Sequence, residues 1–158
     1  MNESTAVLNV SSASRDWRAH LLSNLVCAPF ELNGQVLASV EGFIQGIKYP
    51  KGDPRREQCF KSWGEWGKKM GEGAERKFVW WNGKEIPYGT PEHHELISKA
   101  ICAKFYCNYG ALVALRATEG LVLTHNVGPE SAQTSLPANV FCKILTDLRA
   151  IYTRKAKT

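Results

Sequence analysis

Two Asn-Gly pairs, Asn33-Gly34 and Asn82-Gly83, each fall between short β-prone runs, in PFELNGQVLAS and KFVWWNGKEIPYG. Asn-Gly accepts the positive φ angles of a two-residue turn, so each pair predicts a tight hairpin. In a chain of 158 residues whose other patterned segments are helical, this limits the β content to a small sheet or two ribbons. A large β domain does not fit.

Helix signals fill the remainder. Ser39 can cap a helix over about Val40–Tyr49. Asp53-Pro54 and Thr90-Pro91 each place a capping residue before a proline suited to the first helical turn. After Asp53-Pro54, residues Phe60, Trp63, Gly67 and Met70 recur at helical spacing. After Thr90-Pro91, residues Leu96, Ile97, Ala100, Ile101, Lys104 and Phe105 share one face. A turn or two of helix is expected over 111–118. Pro137 precedes a last helix with an apolar stripe through Val140, Phe141, Ile144, Leu145, Leu148, Ile151 and Tyr152. The fold class is therefore α+β: a single, mostly helical domain with one or two small β-hairpins. Residues 1–20 read as a polar lead-in, 21–152 as the domain and 153–158 as a basic tail. Residues 125–137, HNVGPESAQTSLP, form a loop long enough to be functional or mobile.

Composition is that of a globular chain, with 44% apolar and 22% charged residues. The net charge of +5 favours anionic partners without naming nucleic acid. Residues 48–77 carry nine of the basic residues against five acidic ones. Five cysteines with no Cys-x-x-Cys pair argue against a zinc ribbon and for reduced thiols, hence a cytoplasmic protein. No run approaches the roughly 18 apolar residues of a membrane span, and no secretory leader pattern opens the chain. Adjacent His93 and His94 diverge by about 100° on a helix, so they do not share a metal easily. His20 and His125 lack ligand partners nearby, and no metal is expected. Most of the five tryptophans are expected to fill the core. Trp80 and Trp81 would point to opposite faces of a strand, one buried and one partly exposed.

Glu41, Gln45 and Lys48 lie at i, i+4 and i+7, so one helical face presents an acid, an amide and an amine. Two readings stay open on spacing alone. Glu41 is a favourable carboxylate in a first helical turn, or the row lines a polar cleft.

The run LSNLVCAPFELNGQVLASVEGFIQGIKY resembles the signature of the NADAR (YbiA-like) family. Ser23, Asn24, Pro29, Phe30, Gly34, Ser39, Glu41, Gln45 and Lys48 carry the match. Met70-Gly71 resembles the family's small-residue step after its second helix. Lys104, Phe105, Thr118, Leu121 and His125 resemble its Ala-Lys-Phe helix and continuation, and Asn139, Leu145 and Arg149 its last helix. The similarity spans roughly residues 21–152. There are departures. Gly42 stands where the family commonly has His after the glutamate. The loop before the last helix has neither the family's Asp nor its Trp-Gly step, and Glu130 is its only carboxylate. Only Tyr88 lies near the place of the family's Asp-Trp.

The resemblance implies hydrolysis of an N-glycosidic bond in a phosphorylated riboside or an ADP-ribose-like compound. The substrate classes are ribosylamino-pyrimidine intermediates of riboflavin synthesis and ADP-ribosyl-guanine. It implies Glu41 as the catalytic carboxylate, with Glu130 as replacement for the missing acid. It implies Asn24, Gln45, Lys48, Lys104, His125 and Asn139 as substrate contacts, Lys48 and Lys104 toward phosphate, and no cofactor. The missing loop residues leave a second expectation, a module that binds ADP-ribose or a nucleotide without turnover. A third, nucleic-acid binding, rests only on charge and exposed aromatics, and would show steep salt dependence.

Overall fold

Both Asn-Gly pairs turn as expected. Asn33 and Gly34 have φ of 50° and 80°, and Asn82 and Gly83 have 48° and 77°, all in the region a two-residue hairpin needs. The first turn joins antiparallel strands that pair Phe30 with Leu37, and the second joins strands that pair Phe78 with Pro87. In this computed structural model residues 5–157 are described, 155–157 by backbone alone. The elements in order are β1 (Val7–Asn9), α1 (Trp17–Leu22), β2 (Phe30–Leu32), β3 (Gln35–Leu37), α2 (Val40–Gly46), α3 (Pro54–Phe60), α4 (Gly64–Met70), β4 (Phe78–Trp81), β5 (Lys84–Pro87), α5 (Pro91–Cys107), α6 (Tyr109–Arg116), β6 (Val122–Thr124) and α7 (Ala138–Lys157).

The capping logic holds at three helices. Ser39 Oγ accepts from Gly42 N, Asp53 from Arg55 N, and Thr90 Oγ1 from His93 N. The expected face of α5, Leu96, Ile97, Ala100, Ile101, Lys104 and Phe105, is buried throughout. An aromatic cluster ties β2, α2, α3 and β4 together. Trp81 meets the rings of Phe43 and Phe60 edge-on, at 5.0 and 5.9 Å.

Four expectations need correction. The spacing Phe60, Trp63, Gly67, Met70 does not mark one helix. Trp63 is extended (φ −151°) and Gly64 takes φ +70°, so the chain breaks between α3 and α4, and Gly64 N donates to Leu25 O at 2.7 Å. Within the expected lead-in, β1 pairs in parallel with β6, Val7 opposite Val122, and Leu8, Val10 and Ala19 join the core. The expected tail boundary at 153 falls inside α7, which continues to Lys157. Core filling fails for Trp17, Trp63 and Trp66, which are 53%, 53% and 71% exposed; Trp81 is buried and Trp80 partly so.

Several positions that carried the family resemblance hold the frame. Arg149 Nη1 donates to the carbonyls of Thr118 and Leu121 at 2.8 and 3.0 Å, fastening α7 to the α6–β6 turn. His125 Nδ1 lies 2.8 Å from Val10 O, and its ring stands edge-on to Phe141.

Candidate active site

Every residue of α2 is buried, which is unusual for a seven-residue helix carrying an acid and an amide. Its three faces explain how. Val40, Phe43, Ile44 and Ile47 enter the hydrophobic core. Gly42 and Gly46 lie against α3, so closely that a Cβ on Gly42 would be 2.4 Å from Cys59 O, and one on Gly46 would be 2.4 Å from the Phe60 ring. No side chain fits at 42, which accounts for Gly42 in the place of the family's His. The third face carries Glu41, Gln45 and, just past the helix, Lys48.

These three form a linear relay. Gln45 Nε2 donates to Glu41 Oε1, and Lys48 Nζ donates to Gln45 Oε1, each at 2.7 Å. The amide thus presents its donor to the acid and its acceptor to the amine. Among the described residues Glu41 Oε2 takes no hydrogen bond. Glu41 lies in the first turn of α2, as expected, but it makes no capping hydrogen bond: Ser39 performs the cap and the Glu41 carboxylate accepts from Gln45. Burial pushes the Glu41 carboxyl above its ordinary range, against the Gln45 hydrogen bond and the charges of Lys48 and Lys68. Burial also lowers the Lys48 amine to about 8, with repulsion from Arg76 adding to it and Glu41 opposing it.

Each neighbour of the row is set by its own local geometry. Glu41 N donates to Asn24 O at 2.9 Å, so the segment after α1 is clipped to the start of α2. Asn24 is itself buried, with Oδ1 unpartnered. Lys104, on the buried face of α5, donates from Nζ to Ser23 O at 2.8 Å. At the far end of α4, Gly71 leaves room for Gln45: a Cβ there would come within 1.8 Å of Gln45 Oε1. Tyr49 OH donates to Met70 O at 2.7 Å and holds that end of α4 in place. Beyond Lys48, the Tyr88 ring centroid lies 6.0 Å from Nζ and 4.9 Å from the His93 ring. The Tyr88 hydroxyl donates to Gln133 O at 2.6 Å and lies 2.8 Å from Ser135 Oγ, which ties the 125–137 loop to this end.

The structure therefore joins Glu41, Gln45 and Lys48 by side-chain hydrogen bonds and brings Asn24 beside Glu41 through its backbone carbonyl. It does not join the other expected site residues to them by a side-chain contact. Lys104 is fully buried, its amine lowered to about 7 by desolvation, so it supports the Ser23-Asn24 backbone and has no surface to offer a phosphate. The Glu130 carboxylate accepts from Ala138 N and caps α7. His125 braces β1, and Asn139 lies exposed in the first turn of α7. Sequence reasoning passed over Tyr88 as a neighbour of Lys48 and over Arg76, and weighed His93 only as a metal ligand. The only signal for His93 was its place three residues after Thr90 in a helix start.

Two clefts of ≈ 480 and ≈ 550 Å³ lie to either side of Trp81, at the hairpin tips. Neither is lined by Glu41, Gln45 or Lys48. The row meets solvent only narrowly, Glu41 being 8% exposed. Among the described residues no three His, Cys, Asp or Glu side chains converge to hold a metal ion, and no helix is long and apolar enough to cross a membrane. All five cysteines are unpaired.

A family model described as bacteriophage protein GP30.3 matches residues 16–150. A 17.1 kDa protein from the Gp30–rIII intergenic region of enterobacteria phage T4 is 29% identical over 139 residues, covering 84% of this chain and 91% of the relative. The NMR structure of the E. coli protein YbiA superposes with a TM-score of 0.68 at 19% identity, over 96% of this chain and 88% of YbiA. The chain belongs to the bacteriophage protein GP30.3 family and has the YbiA-like fold that its sequence led us to expect.

Proposed function

We propose that the protein hydrolyses the N-glycosidic bond of a phosphorylated ribosyl or ADP-ribosyl compound, of the riboflavin-intermediate or ADP-ribosyl-guanine type. The observation that carries this reading is the relay on α2. A buried carboxylate is held at one oxygen by Gln45, with a cation two hydrogen bonds away. C–N cleavage at a ribose proceeds through an oxocarbenium-like state, which a desolvated carboxylate stabilises strongly. Glu41 Oε2 removes a proton from water, and the water oxygen bonds to C1′. The C1′–N bonding pair leaves with the base or amine, which takes up a proton. Raised basicity suits Glu41 to that proton transfer. Lys48 contacts the phosphate end, and Asn24 Oδ1, buried without a partner, accepts from a ribose hydroxyl.

One observation favours binding without turnover: Glu130, the loop's only carboxylate, is spent on capping α7. The same experiment separates the two readings. Wild type and Glu41→Gln are incubated with ADP-ribosylated guanine and with ribosylamino-pyrimidine phosphates, and released base or amine is followed by chromatography. Hydrolysis predicts release by wild type and a loss of at least about 100-fold in the variant. Calorimetric binding of ADP-ribose with no release from any substrate would leave the binding module in its place.

A further inference from the structure

Arg56 lines the ≈ 550 Å³ cleft beside Trp81, yet only 8% of its surface is exposed. Its guanidinium lies over the Phe60 and Trp81 rings, 4.9 and 5.8 Å from their centroids. Nη1 donates to Tyr49 O at 2.8 Å and to Trp80 O at 2.9 Å, which uses both of its hydrogens. Nε and Nη2 make no hydrogen bond among the described residues, and neither is sealed from solvent. These two atoms form the edge of a guanidinium whose N–H bonds run parallel and match the two oxygens of one carboxylate. Arg18 and Arg55 each give that same edge to an aspartate, Asp16 and Asp53. Arg56 is more buried than either and has no carboxylate at ion-pair distance. Burial works against its charge, and Glu57 supports it only from beyond that distance. A buried charge is ordinarily paired, so this edge is one partner short.

We propose that this cleft binds a small aromatic monocarboxylate, with the carboxylate on the Nε–Nη2 edge of Arg56 and the ring against Trp80. The charge of the lining selects the monoanion. Lys51 and Lys84 stand at the cleft, exposed and without an ion pair among the described residues. Two acids stand there as well, Glu57 and Glu85, the second accepting from Trp80 Nε1 at 3.3 Å. Three cations against two carboxylates leave one positive charge, which a carboxylate neutralises and a phosphate dianion exceeds. Trp80 is partly buried and supplies an apolar wall to a planar body. The cleft is of a size that holds small ligands. Glu41, Gln45 and Lys48 do not line it, so the site is separate from the α2 row and independent of the hydrolysis proposed there.

The test reads binding. Full-length protein labelled with ¹⁵N is titrated with benzoate, benzamide, acetate and phenyl phosphate, and the Arg56 Nε–H and Trp80 Nε1–H resonances are followed. Benzoate should bind at least about tenfold more tightly than benzamide, with Arg56 Nε–H moving downfield for the carboxylate and not for the amide. Acetate, which has no ring to set against Trp80, should bind about fivefold more weakly than benzoate. Arg56→Lys keeps the charge and loses the paired edge, and should weaken benzoate by about fivefold or more. Arg56 also holds two backbone carbonyls, so Lys84→Glu, a surface change, reads the charge requirement apart from the frame. It should weaken benzoate by about threefold or more and leave benzamide unchanged. Equal affinity for benzoate and benzamide, or an Arg56 Nε–H unmoved at saturation with benzoate, overturns the proposal. Tighter binding of phenyl phosphate than of benzoate overturns the choice of a monoanion, and equal binding of acetate and benzoate overturns the aromatic body.

Discussion

Replacing Gly71 by alanine tests whether the relay on α2 depends on a hole left for it in α4's last turn. Gly71 has φ −87° and ψ −4°, which alanine adopts without backbone strain. The obstacle is steric, since a Cβ would be 1.8 Å from Gln45 Oε1 and 2.6 Å from Gln45 Cδ. The Gln45 amide must therefore leave its position, and both relay hydrogen bonds go with it. Hydrogen bonds to ionisable groups are worth about 1.5–3 kcal/mol each, while restricting the unfolded chain by Gly→Ala returns about 0.4–1. The expected cost is about 2–5 kcal/mol, read from urea unfolding midpoints at constant slope. A double-mutant cycle isolates the cause. In a Gln45→Ala background the nearest of these atoms left to the new methyl is the Cβ of residue 45, at 3.0 Å, and a shift of a few tenths of an ångström relieves it. Gly71→Ala should then be nearly neutral, so that the coupling equals most of the single-mutant cost. A Gly71→Ala chain within about 0.5 kcal/mol of wild type, or additive effects in the cycle, would refute the reasoning.

Two further outcomes follow from the buried charges. Lys104 has its pKa lowered from 10.5 to about 7, so the unfolded chain holds that proton more tightly than the folded one. The contribution is present above the unfolded value and lost as pH falls through the folded value, so wild type should gain about 1–3 kcal/mol over Lys104→Met between about pH 7 and pH 9. Parallel pH profiles of the two urea midpoints would show that Lys104 is not titrating in this range. Glu41 has the opposite sign. Its raised carboxyl contributes stability below the unfolded pKa that is lost as pH rises through the folded one. Glu41→Gln keeps an acceptor for Gln45 and buries no charge, so it should melt at a higher temperature than wild type above neutral pH. A lower melting temperature there would mean that Lys48 and Lys68 stabilise the carboxylate more than burial penalises it.

What was legible in the sequence was mostly local. Asn-Gly at both turns, Ser39, Asp53 and Thr90 as caps, and the buried stripe of α5 all act within a few residues, and each is where the sequence put it. The spacing of Glu41, Gln45 and Lys48 was legible too, because a helix of 3.6 residues per turn fixes which side chains share a face. Contacts across the chain were not. The β1–β6 pair joins residues more than a hundred positions apart through strands of three residues each, too short to show alternation against a polar background. Lys104 carried a charge that suggested phosphate, yet it sits on the apolar stripe of α5, and position on that stripe outweighs residue type in deciding burial. Periodicity also ran straight through Trp63 and Gly64, where a positive φ and a hydrogen bond to Leu25 end the regularity.

The positions that carried the family resemblance therefore divide by physical role. Arg149, Thr118 and Leu121 form one hydrogen-bonded knot under α7, and Lys104 and His125 brace backbone carbonyls. Glu41, Gln45 and Lys48 share one buried polar face, and Asn24, also buried, is clipped beside it through its backbone carbonyl. The first group fastens the frame of a fold that this chain shares with YbiA at 19% identity. The second group is chemically expensive. It places an acid, two amides and an amine where apolar side chains would pack at lower cost, and it requires glycine at 71 to make room. A frame needs none of that. The departures at Gly42 and in the 125–137 loop fall around the row and leave its hydrogen bonds intact: Gly42 because α3 packs on it, and the loop because Tyr88 binds it at the Lys48 end. The row is thus the part of the molecule whose cost the fold does not explain. A ligand that pairs with the free Glu41 oxygen and with Asn24 Oδ1, buried without a partner, would offset it.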